Sequence, residues 1–469
     1  MKARKFVVTA SLCLASLQSV ADDAPTPPTT PPPTSPPAGT VMDSSGPFVA
    51  TEPVNDLPSP EEPIPLTEEM ISLEDWQAIH PETGLYPEDV EDPEQNLGEP
   101  DSQSCAGNPI NIATGNKFQE ETDIAIGNRN TLELVRYYNS QRAIHWSHTY
   151  SVYIKKEGAF VGLKTAEGST LKFIDQGGSY TPLNNFKSGT LQKIGTGWEH
   201  KNVDQDISRF DDKGRLIQWI GHTGYGYSVV YSGNLTTVTD IYQKTLQLNH
   251  DAYGRLSAAS NAWVNATYQY DKGGRLIGVT YDYSGKIKKR SYSYEDSRLP
   301  FHLTSITDER GIVSAAWTYD ARGRAISSTH ANGADKTTVA YGDLGTTVVT
   351  NPLGKQSTHV FQTINNVKRA VRVEGHPSLN CGMSNAEFKY DTQGRLTEKI
   401  ADNGAKTVYS YNAQGFEISR TEAAGTPLAR TTTTQRDTDG VKPITITQPG
   451  KKTEYRYNAK GQVTEVSVQ

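Results

Sequence analysis

The sequence predicts an all-β protein: stacked antiparallel β-hairpin repeats forming a curved or partly closed sheet, preceded by a disordered linker. Three observations carry this. Tyr reaches 24 against 11 Phe, 6 Trp and 4 Met, beside 40 Gly, in a chain only 35% apolar; that balance suits sheets over helical bundles. A signature of aromatic, Asp or Asn, two variable residues and Gly recurs along the second half, its glycines spaced near multiples of about 20–24 residues, which is the mark of a repeat architecture. The residues entering each signature alternate aromatic and polar, the period of a strand with one apolar face.

Met1–Ala21 reads as a secretory signal. Lys2, Arg4 and Lys5 precede an apolar stretch, Phe6–Leu17, and the small-residue site Ser19-Val20-Ala21. Residues 22–104 then hold 18 of the 26 prolines and 19 Asp and Glu, and no Lys or Arg occurs between Phe6 and Asn116. Proline removes backbone donors and one-signed charge opposes collapse, so this stretch is expected to be an extended, disordered spacer. Within it, Leu66–Ile79 has a helical pattern, with Thr67 as N-cap and Ile71, Trp76 and Ile79 on one stripe. No segment approaches the roughly 20 apolar residues of a membrane span.

From Cys105 the character changes. Residues 105–204 show short alternating strands broken by Gly and Asn turns, a small β domain. Residues 205–469 carry the repeat. The turn positions are Asp211 and Gly214, Asp251 and Gly254, Asp271 and Gly274, Asp320 and Gly323, Asp391 and Gly394, Asn412 and Gly415, and Asn458 and Gly461. Asp or Asn at the first position bonds the backbone two residues on, and Gly at the fourth takes the left-handed conformation. A type I turn followed by such a Gly makes a hairpin with a G1 bulge. Arg215, Arg255, Arg275, Arg324 and Arg395 follow the glycines and are expected to pair with neighbouring Asp along the stack. A lone hairpin cannot bury its aromatic face, so stacking is required.

At these residues the chain resembles the Rhs/YD-repeat family, bacterial relatives of teneurin and toxin-complex shells. The repeat Tyr-Asp-x-x-Gly-Arg-Leu covers about 205–469. The stretch 105–150 is similar to the DUF6531-type domain that precedes such repeats, through Gly107-Asn108-Pro109, Thr114-Gly115-Asn116, Glu121-Thr122-Asp123 and Arg136-Tyr137-Tyr138-Asn139-Ser140. The resemblance implies a spiralling strip that curls into a shell, enclosing a toxin in many members. The family's closing Asp-Pro-x-Gly motif has no counterpart in the repeats, since the one Asp-Pro is Asp92-Pro93. With about 365 residues of sheet at about 3.3 by 4.8 Å each, the wall would measure about 5,800 Å², so an open shell is expected.

No nucleophile elbow, zinc helix, phosphate loop or Cys-x-x-Cys pair appears, and no enzymatic activity, cofactor or metal is expected. His145 and His148 flank Trp146 as a packed corner. The positive balance of residues 105–469 is interleaved with acids, which argues against nucleic acid. The aromatic rows are expected to pack inside the wall; if exposed, Tyr268, Tyr292, Trp317 and Tyr409 would be the candidates for stacking on sugars. Cys105 and Cys381 can form a disulfide after export, or remain buried thiols. The expected role is a non-catalytic exported scaffold, secreted, periplasmic or at a bacterial cell surface, that binds a protein or glycan. The alternative is the shell portion of a toxin-delivery system whose effector is absent or separately encoded.

Overall fold

The structure is a computed structural model that describes residues 96–125, 132–142, 145–183, 188–222, 224–364, 366–375, 385–438, 440–458 and 463–469. The signal stretch, the linker as far as residue 95 with its Leu66–Ile79 pattern, Cys381 and Gly461 lie outside them. The chain divides into two units, residues 14–65 and the remainder, and every described residue belongs to the second.

The wall is one antiparallel sheet of 30 strands that is not closed. It runs from β6 (Tyr153–Glu157) to β35 (Val463–Val468), each strand bonded to the next in sequence. It therefore begins upstream of the first recognisable repeat. The strip curls early. The Ile154 N–H in β6 donates to the Gly214 carbonyl at 2.8 Å, in the turn between β12 (Ile207–Phe210) and β13 (Leu216–Ile220).

The repeat turns follow their local chemistry. Asp211 Oδ1 accepts from the N–H of Lys213 and of Arg215 at 3.1 and 2.8 Å, and Asp251 Oδ1 from Tyr253 and Arg255 at 2.9 Å each. Asp320 and Asp391 do the same, and Asn412 Oδ1 accepts from Phe416 at 2.9 Å. The glycines at 214, 254, 274, 323, 394 and 415 have φ between 73° and 87°. The strand register shifts at the residue entering each turn, as between Gln269 and Tyr270, the bulge that a left-handed Gly imposes.

The arginines correct one expectation. Each pairs with the Asp of its own turn, four residues back, and not with a neighbour along the stack: Nε of Arg215, Arg255, Arg275, Arg324 and Arg395 lies 2.6–2.8 Å from its Asp Oδ2. The tight turn brings both side chains to one side, and such half-exposed pairs contribute little alone. Their effect is positional. Arg215, Arg255, Arg324 and Arg395 each lie 4.3–5.2 Å from the ring of a tyrosine in the next unit, namely Tyr231, Tyr270, Tyr341 and Tyr411. The same tyrosines donate their Oη at 2.7–2.9 Å to the carbonyls of Leu216, Leu256, Ala325 and Leu396, the residue after each arginine. Asp holds Arg, Arg carries Tyr, and Tyr locks onto the preceding unit. Loss of one such bond, as in Tyr341→Phe, is expected to lower unfolding free energy by about 1 kcal/mol in urea titrations with the slope unchanged.

The described residues of the stretch 96–150 lie against the tyrosine face of the wall. There β1 (Cys105–Ala106) pairs β2 (Ile110–Asn111), while β3 (Phe118–Ile124), β4 (Leu134–Asn139) and β5 (Trp146–His148) form a three-stranded sheet. Ile110, Ile112, Ile124, Leu134 and Tyr138 are fully buried and share one core with Val238, Leu246, Leu248, Val279, Tyr292, Trp317 and Phe361 of the wall. The N-terminal segment thus supplies the second layer that a single sheet lacks.

Candidate functional site on the tyrosine face

Two motif glycines let the segment approach the wall. A Cβ on Gly107 would stand 2.2 Å from Ser328 Oγ, and one on Gly115 would stand 2.4 Å from Arg324 Cβ. The close approach is used. Asn108 N–H donates to Ser328 Oγ at 3.2 Å, Trp317 Nε1 to the Asn108 carbonyl at 2.7 Å, and Ala325 N–H to the Gly115 carbonyl at 2.9 Å.

Beyond these contacts the segment presents charge to the wall. Arg136 on β4 faces Asp123 on β3 through two bonds, Nε to Oδ2 at 2.5 Å and Nη2 to Oδ1 at 2.9 Å. Both side chains are almost wholly buried. Asp123 also accepts the hydroxyls of Tyr268 and Tyr281, each at 2.7 Å, from β18 (Asn265–Tyr270) and β19 (Leu276–Tyr283). Arg136 donates to Tyr292 Oη at 2.7 Å, on β20 (Lys286–Ser293), and its guanidinium lies 4.6 Å from the Trp146 ring. Next to this cluster Arg290 pairs with Glu121 and Glu309. A buried carboxylate is tolerable only when it is paired and hydrogen-bonded, and four donors meet that need here.

The electrostatics favour fixed states over proton transfer. Burial opposes the Arg136 charge, but Asp123 more than restores it and holds the guanidinium protonated. Burial first, then the Asp123 charge, pushes the Tyr268 and Tyr281 hydroxyls well above the usual phenol range, so both stay donors. Lys117 is fully buried over the Trp317 ring at 4.2 Å, and burial drives its ammonium well below the ordinary value.

His148 titrates instead. Burial, with His250 adding to it, pulls its imidazole down to about 3, and Nδ1 accepts from the Tyr150 N–H at 3.2 Å. The unfolded chain therefore binds a proton that the folded chain refuses between pH 6.5 and about 3. Stability from this group is present above the unfolded pKa and falls by about 1 kcal/mol per pH unit as acid is added through that window. Denaturant midpoints taken at pH 7, 6, 5 and 4 should decline, and His148→Asn should flatten the decline.

The structure sorts the residues named from sequence. Among the described residues, Asp211, Asp251, Asp271, Asp320, Asp391 and Asn412 bond the backbone of their own turns. Tyr268, Tyr292 and Trp317 are buried with their polar atoms satisfied, so their ring faces are not offered to a sugar; Tyr409 is half-buried. The physical reason is the N-terminal segment, which covers the rows that bare repeats would expose. His145 stacks on Tyr138 and Phe301, while His148 packs near Tyr150 and His250. Among the described residues no cluster of His, Cys, Asp or Glu suits a metal. Cys105 is disulfide-bonded. Its expected partner, Cys381, lies outside the described residues. Sequence reasoning missed Asp123, Arg136, Glu121 and Arg290. The one signal was that Glu121-Thr122-Asp123 and Arg136 stood in apolar, alternating strands.

A curled strip of Tyr-Asp hairpins carrying its own N-terminal segment on the tyrosine face defines the YD-shell class of β scaffold. Residues 201–424 match the Teneurin YD-shell and residues 107–173 match a domain of unknown function, DUF6531; the chain belongs to the Rhs/YD-repeat family. Among solved structures it is similar to TcdB2-TccC3-Cdc42, at 12% identity over 75% of this chain and 19% of that one, TM-score 0.31. It is also similar to TcdB2-TccC3-TEV, at 14% over 85% and 22%, TM-score 0.32. The Photorhabdus luminescens Tc holotoxin pore gives 14% over 77% and 20%, TM-score 0.30. The chain spans about a fifth of the length of these relatives. No curated protein matches it.

Proposed function

We propose that this YD-repeat scaffold is exported and acts without catalysis, holding a polypeptide on its tyrosine face as one wall segment of a toxin-delivery shell. The observation that carries this is the way residues 96–150 already lie on that face: tyrosine hydroxyls from three wall strands converge on two carboxylates of a laid-in chain. The same face, repeated along the strip, suits an extended or partly folded polypeptide better than a small molecule. Export follows from the reading of Met1–Ala21, and a disulfide between Cys105 and Cys381 suits an oxidising compartment.

The test is co-expression of the full chain with each polypeptide encoded beside it, followed by protease challenge. A partner that survives protease in the complex and is degraded alone is the expected result. A partner equally degraded in both cases, or no complex with any neighbour, would overturn the shell reading.

A further inference from the structure

The wall is covered unevenly. From β6 to Phe388 in β28 (Ala386–Tyr390) its tyrosine face contributes buried apolar side chains throughout; beyond Phe388 no described apolar side chain is buried. Register carries the same face onward. Phe388 opposes Lys399, which opposes Thr407; Tyr409 opposes Arg420; Ile446 opposes Thr453, which opposes Val468; Tyr455 opposes Val466. This part of the face mixes Tyr409, Tyr411, Ile446, Tyr455 and Tyr457 with the cations Lys399, Arg420 and Lys451. Glu417 and Glu422 stand 4.0 and 3.8 Å from Arg420. Val466 and Val468 are 52% and 60% exposed. Strands that bury their apolar face elsewhere in the strip leave it open here.

The path of the N-terminal segment indicates what covers it. Read backward, that segment advances along the wall with one reversal, because Ile112 meets a later strand than Asn108 does. Asp123 meets β18 and β19; Asn108 meets Trp317 and Ser328 on β22 (Val313–Tyr319) and β23 (Ala325–His330). The Ile112 carbonyl accepts from Thr347 at 2.9 Å on β25 (Thr346–Thr350). Asn96 Oδ1 accepts from the Lys368 N–H at 3.0 Å and Asn96 Nδ2 donates to the Asn366 carbonyl at 3.4 Å. These lie in the hairpin of β26 (Gln356–Ile364) and β27 (Val367–Gly375). The described chain thus starts beside the last covered strands, where the Gly98 N–H also donates to Asn139 Oδ1 at 2.9 Å.

Residues 66–95 precede that point. They hold ten Asp and Glu and no Lys or Arg, together with Ile71, Leu73, Trp76, Ile79 and Leu85. Apolar anchors set among acids complement an apolar face set with cations. Length suffices: 30 residues extend to about 100 Å, while eight strand spacings from β27 to β35 amount to about 38 Å. We propose that residues 66–95 of the same chain lie on the tyrosine face of strands β28–β35, with Trp76 as the anchor. This goes beyond the shell reading and needs no cargo.

Carbodiimide coupling of the full chain, with mass spectrometry on a mixture of isotopically labelled and unlabelled protein, tests it. Amide links within one chain from the carboxylates of Glu68, Glu69, Glu74 or Asp75 to Lys399 or Lys451 are expected, and Trp76→Ala should cut their yield at least fivefold while the strand signal in circular dichroism is unchanged. Links that form only between labelled and unlabelled copies would overturn the proposal in favour of a second copy. Links confined to Lys389 and Lys452, on the opposite face, or no links to the wall, would overturn it outright.

Discussion

Asp123→Ala is expected to be the most damaging single substitution in the N-terminal segment, lowering unfolding free energy by about 3–5 kcal/mol. Its carboxylate accepts four buried bonds, two from Arg136 and one each from Tyr268 and Tyr281. Truncation leaves the guanidinium as an uncompensated buried charge and two hydroxyls without acceptors, each a penalty of about 1–3 kcal/mol when no partner replaces it. Arg136→Met removes the charge but strands Asp123 with the tyrosines, so it should cost less. The double substitution Asp123→Leu with Arg136→Met should recover part of the loss, and adding Tyr268→Phe and Tyr281→Phe should recover more, because a seam made apolar throughout has no orphaned groups. Urea midpoints for this series decide the matter. Additive losses across it would mean that the four side chains are independent and the seam is not a unit.

This seam is also where sequence reading stopped. The hairpins were legible because one local rule generates them. Asp211 or Asp391 finds its backbone partners within four residues, and the left-handed Gly follows from the same turn. The seam depends on pairings with sequence separations of 13 between Arg136 and Asp123, and of 145 and 158 between Asp123 and the two tyrosines. No periodicity in a single sequence encodes which distant Tyr meets which carboxylate. Whether the aromatic rows were exposed or packed stayed undecided in sequence for the same reason. Alternation correctly placed Tyr268, Tyr292 and Trp317 on one face, but what lies over that face is set by residues 96–150, whose own pattern gave no hint of docking there. The arginines erred in the opposite sense: a partner expected at a distance was present within the turn.

The same distinction between local and non-local constraint separates two glycines that sequence treats as equivalent. Gly214 and Gly254 occupy the same turn position with φ of 82° and 75°. Placing Ala at either enforces a left-handed L-residue, at about 1–2 kcal/mol. A Cβ on Gly254 meets nothing within 4 Å, so Gly254→Ala should stop at that figure. On Gly214 the Cβ would stand 1.9 Å from the Ile154 carbonyl oxygen, which is backbone and cannot rotate away. The turn must withdraw, and the bond from the Ile154 N–H to the Gly214 carbonyl, which joins β6 to a turn six strands further along, breaks with it. Gly214→Ala should therefore cost about 3–5 kcal/mol, adding displaced packing and a lost bond to the backbone term. Hydrogen exchange gives the sharper readout. The Ile154 amide should lose protection in Gly214→Ala and keep it in Gly254→Ala, whereas equal exchange in the two variants would mean that the first coil of the strip is held by something other than this contact.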